Sequence, residues 1–135
     1  MRFIADVVLE NGLDYLKQNV DQLILASAGT TTYADANTNN GTGSGVKILE
    51  VAIVPADITL EDGATDGRKA TMAAKSSIAV TADGDADHVI WADSGNSAVL
   101  AVMQLTSALT GLTTSGAPVD INSHFAAIRD AVAAT

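Results

Sequence analysis

The chain has no cysteine, only two prolines, few aromatic residues (4%) and few basic ones. The missing cysteine excludes a disulfide framework and a zinc–thiolate site. Seven basic residues stand against 16 acidic ones, a net charge of −9. Nucleic-acid binding needs a basic footprint that displaces phosphate counterions, and this chain has none. Docking on an anionic membrane is disfavoured for the same reason. No apolar run approaches the ~20 residues of a membrane span. The start, MRFIADVVLENG, is interrupted by Asp6 and Glu10, so it lacks the uninterrupted apolar core of a signal peptide.

Hydrophobic residues still make up 47% of the 135 positions, which is enough for one domain spanning residues 1–135. A domain of this size buries roughly 65–70% of its unfolded surface. The core must be built from Ala, Val, Leu and Ile. Such side chains bury little area each, at about 25 cal/mol per Å², so self-association is expected to add to its stability. The excess acidity reads first as solubility.

Asp87 to Leu109, DHVIWADSGNSAVLAVMQLTSAL, organises the rest. His88 to Ala92 is a β-prone run, Asp93 to Ser97 is a turn cluster, and Ala98 to Leu105 is apolar and uncharged. Two such runs around a Gly-containing turn predict a β-hairpin. A run this apolar is expected on a central, buried strand.

Upstream, Leu9, Leu13, Leu16 and Val20 recur at helical spacing, with Tyr15 and Lys17 off that stripe. One amphipathic helix is expected over most of residues 5–19, capped at Asn11 or starting near Asp6. Residues 22–27 read as a strand, and 29–45 as a long Thr/Asn/Gly loop. A loop of that length is usually functional, mobile or held by a partner. Residues 46–54 form the next strand, stopped by Pro55, and 58–60 a short segment. Residues 68–74 and 77–82 read as one bent strand or a tight pair. Asp83-Gly84-Asp85 reads as a turn into the core hairpin, and 119–122 as a further strand. For residues 123–134, Phe125, Ile128 and Val132 fit a helix face, while alternation through Ile121, Ser123 and Phe125 fits a strand.

The candidate metal ligands are Asp83, Asp85 and Asp87, at alternate positions as in the first half of a calcium loop. That pattern needs Gly at its sixth position and Glu at its twelfth. His88 and Ser94 stand there instead, so the stretch reads as an acidic turn, with a calcium site completed by backbone oxygens left open. Gly41, Gly43 and Gly45 lead into a strand, whereas a dinucleotide fingerprint opens a helix. His88 and His124 lie in no HxH or HExxH spacing, and no GxSxG occurs. No catalytic residue and no cofactor is expected. Arg68-Lys69 reads as a solvated hairpin entrance or as partners of acidic neighbours.

Taken in order, the pieces resemble a family of small virion-associated structural proteins of tailed bacteriophages. The stretch ADVVLENGLDYLKQNVDQLILASAGTTTYADA looks like that family's helix, strand and Thr31-Thr32-Tyr33 loop. Gly67-Arg68-Lys69-Ala70-Thr71 looks like its glycine-basic strand start, and DHVIWADSGNSAVLAVMQLTSAL like its strand–turn–strand. The resemblance implies a final strand from about Val119 to Ile128, and a capsid or tail component without catalytic residues. The expected fold is therefore mainly β, a β-sandwich (jelly-roll or Ig-like) of about eight strands with one N-terminal helix.

The expected function is a non-enzymatic structural protein of the virion, made in the host cytoplasm. Capsid decoration (cement) comes first; a tail-tip, fibre or head–tail connector subunit is the alternative. Expected partners are further copies of the chain and the phage major capsid protein or another virion protein, with no nucleic acid and no membrane. The helix and the 29–45 loop are the expected docking elements. A reading of another class is a small calcium- or carbohydrate-binding β-sandwich module, using Trp91 and the Asp83/Asp85/Asp87 turn.

Overall fold

The computed structural model describes residues 6–63 and 67–128. Its elements are helix α1 (Asp6–Asn19), β1 (Gln22–Ala26), the one-turn helix α2 (Tyr33–Ala36), β2 (Lys47–Ala52), β3 (Ile58–Asp62), β4 (Arg68–Met72), β5 (Lys75–Ile78), β6 (Gly84–Asp93), β7 (Ala98–Leu112), β8 (Val119–Ile121) and β9 (His124–Ile128). The described residues thus carry nine strands, close to the expected eight, behind an N-terminal helix.

The strands form three antiparallel sheets: four strands in the order β2-β1-β6-β7, three in the order β3-β4-β9, and the pair β5-β8. The four-stranded sheet is opposed by the two smaller ones in a sandwich-like arrangement. Period-2 alternation decides which residues lie between them. Leu23 stands level with Val51 and Trp91, and Leu25 with Leu49 and Val89. These side chains share one face and meet Ile58, Ala70, Met72, Ile78, Val119 and Ile121 from the smaller sheets in a single core.

The intervening residues Ile24, Ala26, Ile90 and Ala92 face the other way. They are covered by Tyr33, Ala36 and Val46. Strand β1 is therefore buried on both faces, which is why QLILA reads as a continuous apolar run after its first residue.

Helix α1 follows its sequence stripe. Leu13 and Val20 are buried, Leu16 packs against the same core, and Tyr15 is 53% exposed. The helix lies over β3 and β4. Lys17 clamps it there by donating to the carbonyls of Pro55 (2.9 Å) and Ile58 (2.5 Å). Because the helix already runs from Asp6, Gly12 is interior rather than a first turn, at a cost of about 1 kcal/mol relative to Ala.

Pro55 ends the β2 segment in a 3₁₀ turn, Pro55–Asp57. There Asp57 accepts from the Val54 N–H (2.9 Å) and pairs with Lys75 (2.8 Å). The Lys75 hydrogen bond, the Val54 N–H and the lysine charge hold the Asp57 carboxyl below its ordinary pKa.

Several expectations change. Residues 68–74 and 77–82 do not pair with each other: the strands found there, β4 at 68–72 and β5 at 75–78, belong to different sheets. Asp85 is not part of a turn, because β6 already begins at Gly84. The 29–45 stretch is not wholly irregular loop. It contains α2 and seals the outer face of the four-stranded sheet, with Ala36 fully buried. The expected helix-or-strand segment is strand β9 as far as Ile128; a helix face reaching Val132 lies outside the described residues, as does Ala64-Thr65-Asp66.

The largest correction concerns the core hairpin. It forms, and Ser94 to Ser97 turn its corner, with Ser97 in the left-handed region at φ 51°. Strand β6 is central and buried. Strand β7 is not: it is the sheet's outermost strand, it runs on to Leu112, and most of its residues are half-buried or exposed.

Candidate functional site

The four-stranded sheet has two edges, and the chain treats them differently. At the start of β2 the outer backbone groups, those of Lys47 and Ile48, are engaged. Lys47 donates to the Thr38 carbonyl (3.0 Å) and its carbonyl accepts from Asn40 (2.8 Å). The Ile48 carbonyl accepts from Thr81 (2.8 Å) and Ala82 (3.1 Å). Among the described residues, β7 pairs with β6 alone. Its sequence, AVLAVMQLTSALTGL, holds no charge and no proline. Two of its apolar side chains, Val102 and Leu109, are each 37% exposed. Natural sheets usually blunt an open edge with charge, proline, shortness or a cover. Here only bulges interrupt it.

Those bulges also shape a groove. Ala86 stands opposite Leu109 and His88 opposite Gln104, so Asp87 alone faces residues 105–108. The extra β7 residues bow away from β6. Residues 120–124 lie across from them, and between the two is a groove of about 430 Å³ with Leu25, Val89 and Ile121 among its lining. His124 stands at its wall. The buried Trp91 donates its indole N–H to His124 Nε2 (2.9 Å), and His124 Nδ1 lies 2.9 Å from the Asn122 carbonyl. An indole nitrogen only donates, so Nε2 must be the unprotonated nitrogen and Nδ1 the donor to Asn122. The rings meet edge-on at 5.6 Å and 61°. Burial pushes the His124 pKa down, against the opposing pull of the Asn122 carbonyl. Nε2 thus ties β9 to β6 and Nδ1 ties it to Asn122 just before β9, leaving no lone pair for a metal or a proton transfer.

Asp83, Asp85 and Asp87 do not converge. Asp83 accepts from the Thr114 N–H (2.8 Å), Asp85 from the Gly111 N–H (2.8 Å), and Asp87 pairs with His88 Nδ1 (2.6 Å). The first two fasten the far end of β7 and the turn after it. Among the described residues, no group of three or more His, Asp or Glu side chains is placed to hold a metal ion. His88 lies on the sheet face opposite the one that Trp91 and His124 share, since it stands level with Ala26 while Trp91 stands level with Leu23. Trp91 is wholly buried and offers no stacking surface to a sugar.

Arg68 and Lys69 face acidic neighbours across the β3–β4 pair: Arg68 bonds Asp62 (2.5 Å), and Lys69 lies 3.8 Å from Glu61 and over the Phe125 ring at 4.9 Å. Gly41 and Gly43 form an exposed loop tip, at φ 88° and 55°.

A polar cluster beneath the 29–45 stretch escaped the sequence reading. Tyr33 Oη donates to Gln22 Oε1 (3.1 Å), Gln22 Nε2 donates to Asn37 Oδ1 (2.9 Å) and to Glu50, and Lys47 Nζ pairs with Glu50 Oε1 (2.9 Å). Burial pushes the Glu50 carboxyl up, but the hydrogen bonds from Lys47 and Gln22 with the lysine charge outweigh it and hold its pKa below the ordinary value. Desolvation, then the nearby Asp21, Glu50 and Asp93 charges, raise that of Tyr33. The only signal in the sequence was Gln22, Lys47 and Glu50 interrupting otherwise apolar strands. The cluster borders an open hollow of about 500 Å³, and its polar groups already answer one another.

No helix among the described residues is long and apolar enough to cross a membrane. No protein-family model matches the chain, and neither a curated protein nor a solved structure matches it.

Proposed function

We propose that the chain is a non-enzymatic structural protein of a tailed-phage virion, in first place a capsid decoration protein present in many copies. The observation that carries this reading is the open, uncharged edge of β7, a surface suited to assembly and not to chemistry. The order of helix, strand, Thr31-Thr32-Tyr33 loop, Gly67-Arg68-Lys69 and hairpin supports it through the family resemblance. The docking role moves away from α1 and the 29–45 stretch, because both turn their apolar faces inward. The test is immunogold labelling of particles purified from a lysate in which the gene is expressed. Dense label over heads is the expected result. Label confined to tails or necks moves the protein to the tail-tip, fibre or connector role, and unlabelled particles overturn the virion reading.

A further inference from the structure

We infer that the free edge of β7 pairs with β7 of a second copy, antiparallel across a two-fold axis, joining two four-stranded sheets into one of eight strands. The inference rests on the assembly reading above and names its surface and partner.

Charge selects the occupant. The chain carries a net −9, yet from Ser94 to Val119 it contains no charged residue. Two copies meeting through their acidic surfaces set acid against acid, whereas along β7 they set neutral against neutral. A basic partner finds no carboxylate there to recognise. A two-fold contact presents the same patch from both sides, so an uncharged apolar strand complements itself. The start of the sheet's other edge is already taken up by residues 38–40 and 81–82, whereas among the described residues no strand pairs with the outer side of β7, which leaves this longer edge for strand addition.

The bulges narrow the contact. β7 keeps regular register with β6 through residues 101–104, and within that run Val102 is the exposed apolar side chain. A two-fold axis perpendicular to the sheet keeps both cores on the same side and sets residue 102 opposite its own copy. Opposed residues on antiparallel strands lie about 4.5–5.5 Å apart at Cα, within reach of a disulfide.

The experiment uses the full chain, which has no cysteine of its own. Light scattering is measured across a concentration series for the wild type, for Val102→Lys with Gln104→Lys, and for Phe125→Lys on the other sheet. In parallel, Val102→Cys and Phe125→Cys are oxidised with diamide and run on non-reducing gels. The expected wild-type mass rises with concentration to twice the 13.7 kDa chain mass. The edge double variant is expected to pair at least about tenfold more weakly, Phe125→Lys to behave as wild type, and only Val102→Cys to give a linked pair. A wild type that stays at chain mass overturns the inference. So does an edge variant that folds and pairs normally, or a Val102→Cys chain that links no better than Phe125→Cys. A paired protein absent from particles keeps this interface and removes the virion reading; a labelled particle with a chain that never pairs does the reverse.

Discussion

Strands β2 and β7 bound the same sheet, and the chain equips them in opposite ways. β2 carries Lys47 and Glu50, runs for six residues, and has the outer backbone groups of Lys47 and Ile48 taken up by residues 38–40 and 81–82. β7 runs for 15 residues without a charge, and among the described residues only β6 pairs with it. Unpaired strand edges template pairing with other chains unless something blocks them. The difference teaches that the long 29–45 stretch is a cover, and that the uncharged run in the hairpin is left available.

Opening the covered edge should have the largest effect. A Cβ at Gly45 would lie 2.5 Å from the Asn39 carbonyl oxygen and 2.6 Å from that of Thr38. Gly45→Val must push residues 38–40 off β2, at an expected cost of about 1–3 kcal/mol. Urea unfolding would register this as a lower midpoint, and light scattering as extra association from a second open edge.

Asn40→Ala is a gentler form of the same change. Asn40 donates to the Asp83 carbonyl (2.9 Å) and accepts from Ser27 Oγ (2.7 Å). Its loss should cost about 1 kcal/mol in the same unfolding measurement.

The β7 side is probed by acid. His124 is held neutral between Trp91 and Asn122, and burial lowers its pKa from the ordinary 6.5. A depressed folded-state pKa means that this contribution is fully present above pH 6.5 and is lost as pH falls through the folded value. The melting temperature of the wild type should therefore fall on acidification more steeply than that of His124→Gln. Parallel slopes would contradict the neutral assignment.

The smallest effect on folding belongs to the open edge. Val102→Lys should change the stability of the single chain by no more than about 0.5 kcal/mol, as read by urea unfolding under dilute conditions, while shifting the rise of its mass to higher concentration.

Much of the fold was legible because periodicity reports burial. The Leu13, Leu16 and Val20 stripe marked α1, residues 22–27 marked a strand, and the turn cluster from Asp93 to Ser97 marked the hairpin. The status of β7 was not legible. An apolar, uncharged run reads alike whether a strand is central or an edge, since hydropathy reports what a side chain prefers and not how many neighbours its backbone has. The cover over β2 was hidden for a related reason: residues 38–40 act through main-chain groups, which every sequence shares. Asp83 and Asp85 showed as an acidic turn, but their partners, the backbone N–H groups of Thr114 and Gly111, lie about thirty residues further along. No local pattern links them.

The central claim is that the chain itself blocks the start of one edge and a second copy closes the other. Amide hydrogen exchange followed by mass spectrometry, on the wild type at low and at high concentration, tests it most directly. Peptides covering residues 47–52 should show the same protection at both concentrations, and those covering 99–104 should gain protection at the higher one. Equal protection of 99–104 at both concentrations, in a chain that light scattering shows to associate, would place the contact elsewhere and contradict the account.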